Sequence, residues 1–412
     1  MRQARFTPRA RRALVPLLPM LLLSAVLWPV ARPIDGDGDA FMFWFAGHQV
    51  ATGRSPYDQT AWAAAGSTYG LPANNVALNC VDAGSASCAW VYPPVAGWLF
   101  APFGAADVAP GVLGVSVFVV LTAFAGVIAS MLVFGPATVG ARSIVLVAAV
   151  ASHPFVYDIH VGHFAGLELL GVVGIAAGLR GPAVWPLILG ALALSLKPHL
   201  FLVLVPMVLS VLVARRRWRA IAFAGSALLV LFLAGAILQP EAFAAILGRA
   251  GGKGDLTWST PWALAQTILP AAPLVVLGGL IVLAALAAVA VVRAAPRAER
   301  DLSLVAVGTA LSLVVTPYAQ PYDLLLLMPA IAFAARAALR APRRSRSAIL
   351  AAVPLLFVAG TWSPIVATRI WDDANRSLAL VPVLALVLAA AAVAAARPGA
   401  FAGSPAPLGS TG

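Results

Sequence analysis

The chain is a succession of apolar runs of roughly twenty residues separated by short basic or Gly/Pro clusters. A run of that length is what an α-helix needs to cross about 30 Å of hydrocarbon. Composition points the same way: 61% of the 412 residues are hydrophobic and 10% are charged, against about 45–50% apolar and about 25% charged in soluble domains. A water-soluble enzyme is excluded, and the expected fold class is an all-α polytopic membrane protein. The formal charge of +12 would indicate nucleic acid in a soluble chain. Here the basic residues mark orientation, and no nucleic-acid partner is expected.

Hydropathy places a first span at 13–31 and further spans near 108–134, 143–157, 164–179, 183–196, 199–213, 220–238, 272–292, 302–316, 323–340, 347–362 and 378–396, about twelve transmembrane helices in all. The opening MRQARFTPRARR is strongly basic, and the apolar stretch after it ends LWPVARP without a small-x-small cleavage site. It reads as a retained span rather than a secretory signal. The two short runs on either side of SLKPH are alternatively a hairpin that reaches partway through the bilayer. With a cytoplasmic N-terminus, RRRWR (215–219), Arg293, Arg297, Arg300, the arginines of 336–346 and Arg397 all fall inside, as the positive-inside rule requires. Every acidic residue except Glu299 and Asp301 then falls toward the outside, together with the histidines. The chemistry is therefore expected outside, in the plasma membrane of a bacterium. Residues 1–396 read as one integral membrane domain and 397–412 as a disordered cytoplasmic tail.

The first outer connection, about 32–92, is rich in aromatics, and its segments 40–53 and 60–70 each suit a short interfacial helix. The proline-bracketed 92–104 reads as a further helix at the outer surface. Cys80 and Cys88 lie in this connection, and the reading is either a local disulfide or two unpaired thiols. No cofactor is indicated, and no metal site is supported: Asp35, Asp37 and Asp39 lack the turn glycine and bidentate Glu of a calcium loop.

Four segments hold the scarce ionisable groups. Asp39, ahead of AFMFWFAG, is a candidate general base at the mouth of a membrane cavity, and equally a helix cap. The 152–170 turn carries His153, Tyr157, Asp158, His160, His163 and Glu168, and ionisable groups at membrane depth mark functional cavities by default. Lys197 and His199 lie on the wrong side for a topology signal. The natural partner of Lys197 is an anion, either a carboxylate such as Glu168 or a lipid phosphate, and snorkelling to the headgroups is the alternative. TPYAQPYDLLLL (316–327) carries Tyr318, Gln320, Tyr322 and Asp323, the last opening an apolar run.

Taken in order, these segments resemble glycosyltransferase family 87, the polyprenol-phosphate-mannose-dependent mannosyltransferases with the type C membrane fold. The likeness rests on Asp39 to Trp44 followed by Gly53 to Tyr57, on Tyr92 to Pro94 with Pro102, on His153, Pro154, Gly162 and His163, on Lys197 and Pro198, and on Thr316 to Tyr318 with Tyr322 and Asp323. It implies transfer with inversion of a sugar, typically mannose, from a polyprenyl-phosphate donor to a hydroxyl of a glycolipid or glycan acceptor at the outer face. Carried onto this chain, the resemblance makes Asp39 the general base. Lys197, with His199 or Arg54, would bind the lipid phosphate, and His163, Tyr322 and Asp323 would be substrate contacts. His163 stands where Gln is usual, and Tyr322 and Asp323 where many relatives have His. The rival reading is a transporter or flippase of a polar lipid, but such proteins usually show repeated halves and broken mid-span helices. A membrane-impermeant thiol reagent is expected to reach Cys80 and Cys88 from outside after reduction; labelling only from inside would invert the topology.

Overall fold

The computed structural model describes residues 15–31, 38–69, 90, 92–242, 259–316, 318–368 and 378–397. All regular structure among these residues is helical. The chain is rich in Leu, Ala and Val, and many of its prolines sit in first turns, where a missing N–H costs nothing. Pro94, Pro154, Pro186, Pro261, Pro273 and Pro382 all occupy such positions.

The first helix, α1 (Leu17–Ala31), is followed by three short helices in the expected outer connection: α2 (Asp39–Ala51), α3 (Gln59–Tyr69) and α4 (Pro94–Gly104). They match the segments expected at 40–53, 60–70 and 92–104. Then come α5 (Val108–Phe134), α6 (Val139–Ala151), α7 (His153–Val161), α8 (Ala165–Arg180), α9 (Trp185–Leu194), a single tight turn Pro198–Phe201, α10 (Leu204–Ala214) and α11 (Trp218–Leu238). The second half holds α12 (Pro261–Ile268), α13 (Pro273–Ala294), α14 (Arg300–Val315) and a tight 3-10 stretch Pro321–Leu327 that runs into α15 (Met328–Ala338). It ends with α16 (Arg343–Pro354), α17 (Gly360–Thr368) and α18 (Val381–Ala395).

Six helices among the described residues are long and apolar enough to cross a membrane, and α6 with α7, bent by 47° at Ser152, makes a seventh if taken as one span. The expected twelve full crossings are therefore not seen as such. Helices α9 and α10, at about 15 Å each by helical rise, cover only half of a hydrocarbon core. They form an arch whose apex, residues 195–201, lies level with the start of α8. Cys80, Cys88, Asp35, Asp37 and the tail after Arg397 fall outside the described residues.

The two ends of the bundle differ in chemistry. At one end arginines meet the two acids assigned to the inside: Arg215 pairs with Asp301 at 3.0 Å, and Glu299 accepts from Arg336 at 2.9 Å and Arg340 at 2.8 Å. At the other end α2, α3 and α4 build an aromatic layer. Phe41, Phe43, Trp44, Phe45, Trp62 and Phe100 are each at most 1% exposed, and Phe43 stacks on Phe100 at 4.7 Å. Burial of several rings on this scale, at about 1.5–3 kcal/mol each, holds α2, α3 and α4 together.

Helices α2 and α4 touch backbone to backbone. A Cβ on Gly104 would lie 2.0 Å from the His48 nitrogen, and one on Gly47 would lie 2.3 Å from the Phe100 carbonyl oxygen. The layer is tied to neighbouring segments by Tyr57, whose hydroxyl donates to the Tyr92 carbonyl at 2.6 Å, and by Ser55, which donates to Glu241. The turn between α7 and α8 fits against the start of α2 through Gly162. Its φ is +79°, and an added Cβ would come within 2.6 Å of the Ala40 Cβ.

Gly162→Ala combines that clash with a left-handed backbone, so it is expected to cost about 1–3 kcal/mol and to lower the melting temperature in detergent by several degrees. Gly53, at φ +72° with nothing within 4 Å of a Cβ, is expected to accept Asn without measurable loss, since Asn tolerates this region.

Candidate active site

The aromatic end carries a buried polar cluster assembled from five segments. Its centre is Lys197, on the apex of the α9–α10 arch and 1% exposed. Its ammonium donates to Asp323 Oδ1 at 2.8 Å, and Asp323 is fully buried. Asp323 also accepts from the backbone N–H of Gln320 at 2.8 Å through Oδ2 and so closes a reciprocal cap on the Pro321–Leu327 stretch. Asp323 thus uses one oxygen on Lys197 and the other on the cap. Of the anions foreseen for Lys197, the structure supplies a carboxylate, but from Asp323 rather than Glu168.

Lys197 sits over aromatic faces, 4.6 Å from the Tyr322 ring centroid, 5.7 Å from Phe164 and 5.9 Å from Tyr92, where each ring quadrupole favours the cation. The Tyr322 ring belongs to a column of stacked rings. His153 lies on Tyr157 at 5.2 Å, Tyr157 on Tyr322 at 5.8 Å, Tyr322 on His163 at 3.9 Å and His163 on Phe164 at 4.5 Å. His163 Nε2 is 3.1 Å from the Tyr92 hydroxyl, and Nδ1 is 3.9 Å from Asp158 Oδ1. Asp158 Oδ1 also accepts from the Ala165 N–H at 3.1 Å and holds the α7–α8 turn closed.

Asp39 is the first residue of α2 and is half-buried. Carboxylates are favoured at helix starts by the dipole, yet burial dominates here and pushes this carboxyl up to about 7; Lys197 opposes the rise and Asp323 adds to it. Asp39, Lys197, Asp323, His163 and Tyr322 are thus brought together from positions far apart in the chain. His199 lies one residue beyond Pro198, with its ring edge-on to Tyr318 at 5.5 Å. Its buried Nε2 has no hydrogen-bond partner among the described residues. Arg54 is not part of the cluster. It lies exposed beyond the other end of α2, where its charge acts on Asp58.

Three members of the cluster were absent from the expected site. Tyr92 appeared only as part of a motif, and Asp158 and Glu168 only as members of the 152–170 turn. Glu168 is fully buried, and neither carboxylate oxygen has a hydrogen-bond partner among the described residues. An acid inside an apolar run is the signal that marks it. Among the described residues no group of three or more His, Cys, Asp or Glu is arranged to hold a metal ion.

The model of glycosyltransferase family 87 matches residues 90–317, more than half of the chain. The chain belongs to glycosyltransferase family 87. This family 87 protein is a membrane glycosyltransferase with several apolar spans. Among solved structures it is similar to ArnT from Cupriavidus metallidurans in the apo state, at 15% identity and a TM-score of 0.41, covering 93% of this chain and 78% of that one. No curated protein matches. The matched region of the family 87 chain contains Tyr92, His163, Glu168 and Lys197; Asp39 and Asp323 fall on either side of it.

Removing one partner of a buried ion pair leaves an uncompensated charge and costs about 3–5 kcal/mol, whereas replacing both by apolar residues is often near neutral. Lys197→Met and Asp323→Leu are each expected to lower accumulation and melting temperature sharply. The double variant is expected to recover much of both without recovering transfer. If the single variants accumulate normally, the pair does not hold the arch to α15.

Proposed function

We propose that the protein moves a sugar, mannose in the first instance, from a polyprenyl-phosphate carrier to a hydroxyl of a glycolipid or glycan acceptor, at the outer face of the plasma membrane and with inversion. The observation that carries this reading is the position of Asp39. A half-buried carboxyl heads a rigid aromatic helix and shares one cluster with a buried lysine.

In the proposed step the acceptor oxygen attacks the anomeric carbon from the face opposite the phosphate. The bond to the phosphate oxygen breaks, its electron pair stays on the phosphate, and Asp39 takes the acceptor proton. A base needs a fixed position within hydrogen-bond reach and an affinity for protons near the working pH, and a carboxyl raised to about 7 meets the second requirement. The phosphate gathers charge as the sugar leaves, and preorganised donors in a water-poor site stabilise such charge best. Lys197 uses one of its three N–H donors on Asp323, which leaves two for the phosphate, and His199 Nε2 is the neighbouring polar group without a partner.

Transfer of radiolabel from polyprenyl-phosphate mannose to endogenous lipid tests the reading, in membranes holding the wild type or Asp39→Asn. Label transfer by the wild type and its loss, by at least 100-fold, in Asp39→Asn at normal accumulation are expected. Because the base works deprotonated, kcat/KM is expected to rise with pH, bend near pH 7 and level above it, and a flat profile from pH 5 to 9 would remove Asp39 from the base role. No transfer by the wild type with any polyprenyl-phosphate sugar would sink the donor assignment.

A further inference from the structure

The arginine end of the bundle puts its arginines to two different uses. In the RRRWR run between α10 and α11, Arg215 and Arg217 turn back into the protein. Arg217 donates to the Gly178 carbonyl at 2.6 Å, and Arg215 donates to the Leu179 carbonyl at 3.2 Å and pairs with Asp301. Both satisfy late carbonyls of α8, where a helix end favours cations. Arg216 and Arg219 from the same run, and Arg180 at the end of α8, are exposed and make no hydrogen bond or ion pair among the described residues. The segment from 180 to 219 contains no Asp or Glu that could serve them.

Arg216 stands on a backbone that suits glycine. The chain leaves α10 through a paired turn in which the Arg217 N–H donates to the Leu212 carbonyl and the Arg216 N–H to the Val213 carbonyl, both at 2.9 Å. This closure needs a left-handed residue, most often glycine, and Arg216 has φ +53°. Among the described residues only Gly53 and Gly162 share a positive φ with it. A side chain with a Cβ is strained in this region, and strain of this kind collects at sites that bind or switch. No contact inside the protein accounts for an arginine here. Its surroundings show what it meets: Trp218, two residues on, is 58% exposed, and Trp185 at the start of α9, which packs along α11, is 64% exposed. Exposed tryptophans at helix starts settle at the level of lipid headgroups, so the three arginines face the layer that carries lipid phosphates. A guanidinium matches a phosphate through two parallel hydrogen bonds.

We infer that Arg216, with Arg180 and Arg219, binds the phosphate of an anionic phospholipid in the leaflet that borders this end of the bundle, and that the strained arginine serves this lipid. The site lies at the opposite end from Asp39 and Lys197 and does not depend on the proposed reaction. Both feet of the arch reach it: α9 starts just after Arg180, and α10 ends just before Arg216. A lipid that bridges the two arginines ties the feet together, so its binding stabilises the fold.

Arg216→Gly tests this with effects of opposite sign, because it relaxes the backbone and removes the guanidinium together. The full-length protein is melted in phosphatidylcholine nanodiscs with and without phosphatidylglycerol, and the phosphatidylglycerol retained on the purified protein is counted by native mass spectrometry. Phosphatidylglycerol is expected to raise the melting temperature of the wild type by several degrees. In phosphatidylcholine alone Arg216→Gly is expected to melt above wild type, yet to lose at least half of the gain from phosphatidylglycerol and to retain at least threefold less of it. Arg216→Asn, which also tolerates a left-handed backbone, is expected to lose the gain in the same way. Arg344→Gln removes an exposed arginine at the start of α16 and is expected to keep the wild-type gain. An equal gain in wild type and Arg216→Gly overturns the inference and leaves Arg216 a topology signal. So does an equal loss in Arg344→Gln, since the whole face would then attract the lipid. A lower melting temperature of Arg216→Gly in phosphatidylcholine would mean that the protein itself holds the arginine, and would also overturn it. Stabilisation of the wild type by inorganic phosphate as large as that by phosphatidylglycerol would assign the arginines to a free anion and overturn the lipid.

Discussion

The Lys197–Asp323 pair is the interaction on which the other features of the site depend. Neither partner reaches solvent, and burying two charges costs several kcal/mol per ion unless the geometry and the remaining hydrogen bonds compensate. Here they do: the pair is 2.8 Å long, Asp323 caps its own helix start with the second oxygen, and three aromatic rings surround the ammonium. The contact fixes the apex of a short-helix arch against the entry to α15, the most enclosed helix of the bundle. Once that distance is set, Tyr322 is locked under Lys197, His163 is locked under Tyr322, and the α7–α8 turn is positioned beneath the start of α2.

A rigid wall of rings follows from this order. Five rings stack from His153 to Phe164, with Tyr322 inserted between two pairs from the 153–164 segment, so neither segment moves without the other. Asp39 joins the same assembly through backbone contact at Gly162 rather than through its own side chain, which leaves the carboxyl free to work. The geometry therefore separates support from chemistry. Buried residues carry the frame, and the half-buried residue carries the proposed proton transfer.

Much of this was legible in the sequence, and the exceptions have a common cause. Apolar run lengths gave the helices, the arginine clusters gave one end, and aromatic density between 40 and 104 gave a folded aromatic layer at the other. Lys197 was marked as needing an anion because a lysine on that side has no topological purpose. Which anion it takes is decided by how α9, α10 and α15 pack, and Glu168 and Asp323 are equally plausible partners in a linear reading. Arg54 shows the same limit. It sits in the motif beside Asp39 in sequence, but a helix of thirteen residues carries it about 20 Å away. The short runs on either side of SLKPH already allowed a hairpin reaching partway, and α9 and α10 are such half-length helices; the bend at Ser152 was hidden, since hydropathy averages over a window wider than either half of a bent span.

The separation of 126 residues between Lys197 and Asp323 has a consequence in time. At about 5–20 residues per second, the lysine is made on the order of 6 to 25 s before its partner. During that interval the cation at the tip of the arch has no Asp323 to match it. The charge must stay hydrated at the insertion machinery or be given up as a proton until Asp323 arrives. Assembly of this end of the molecule is therefore a timed event in biosynthesis, completed only after Asp323 has been made.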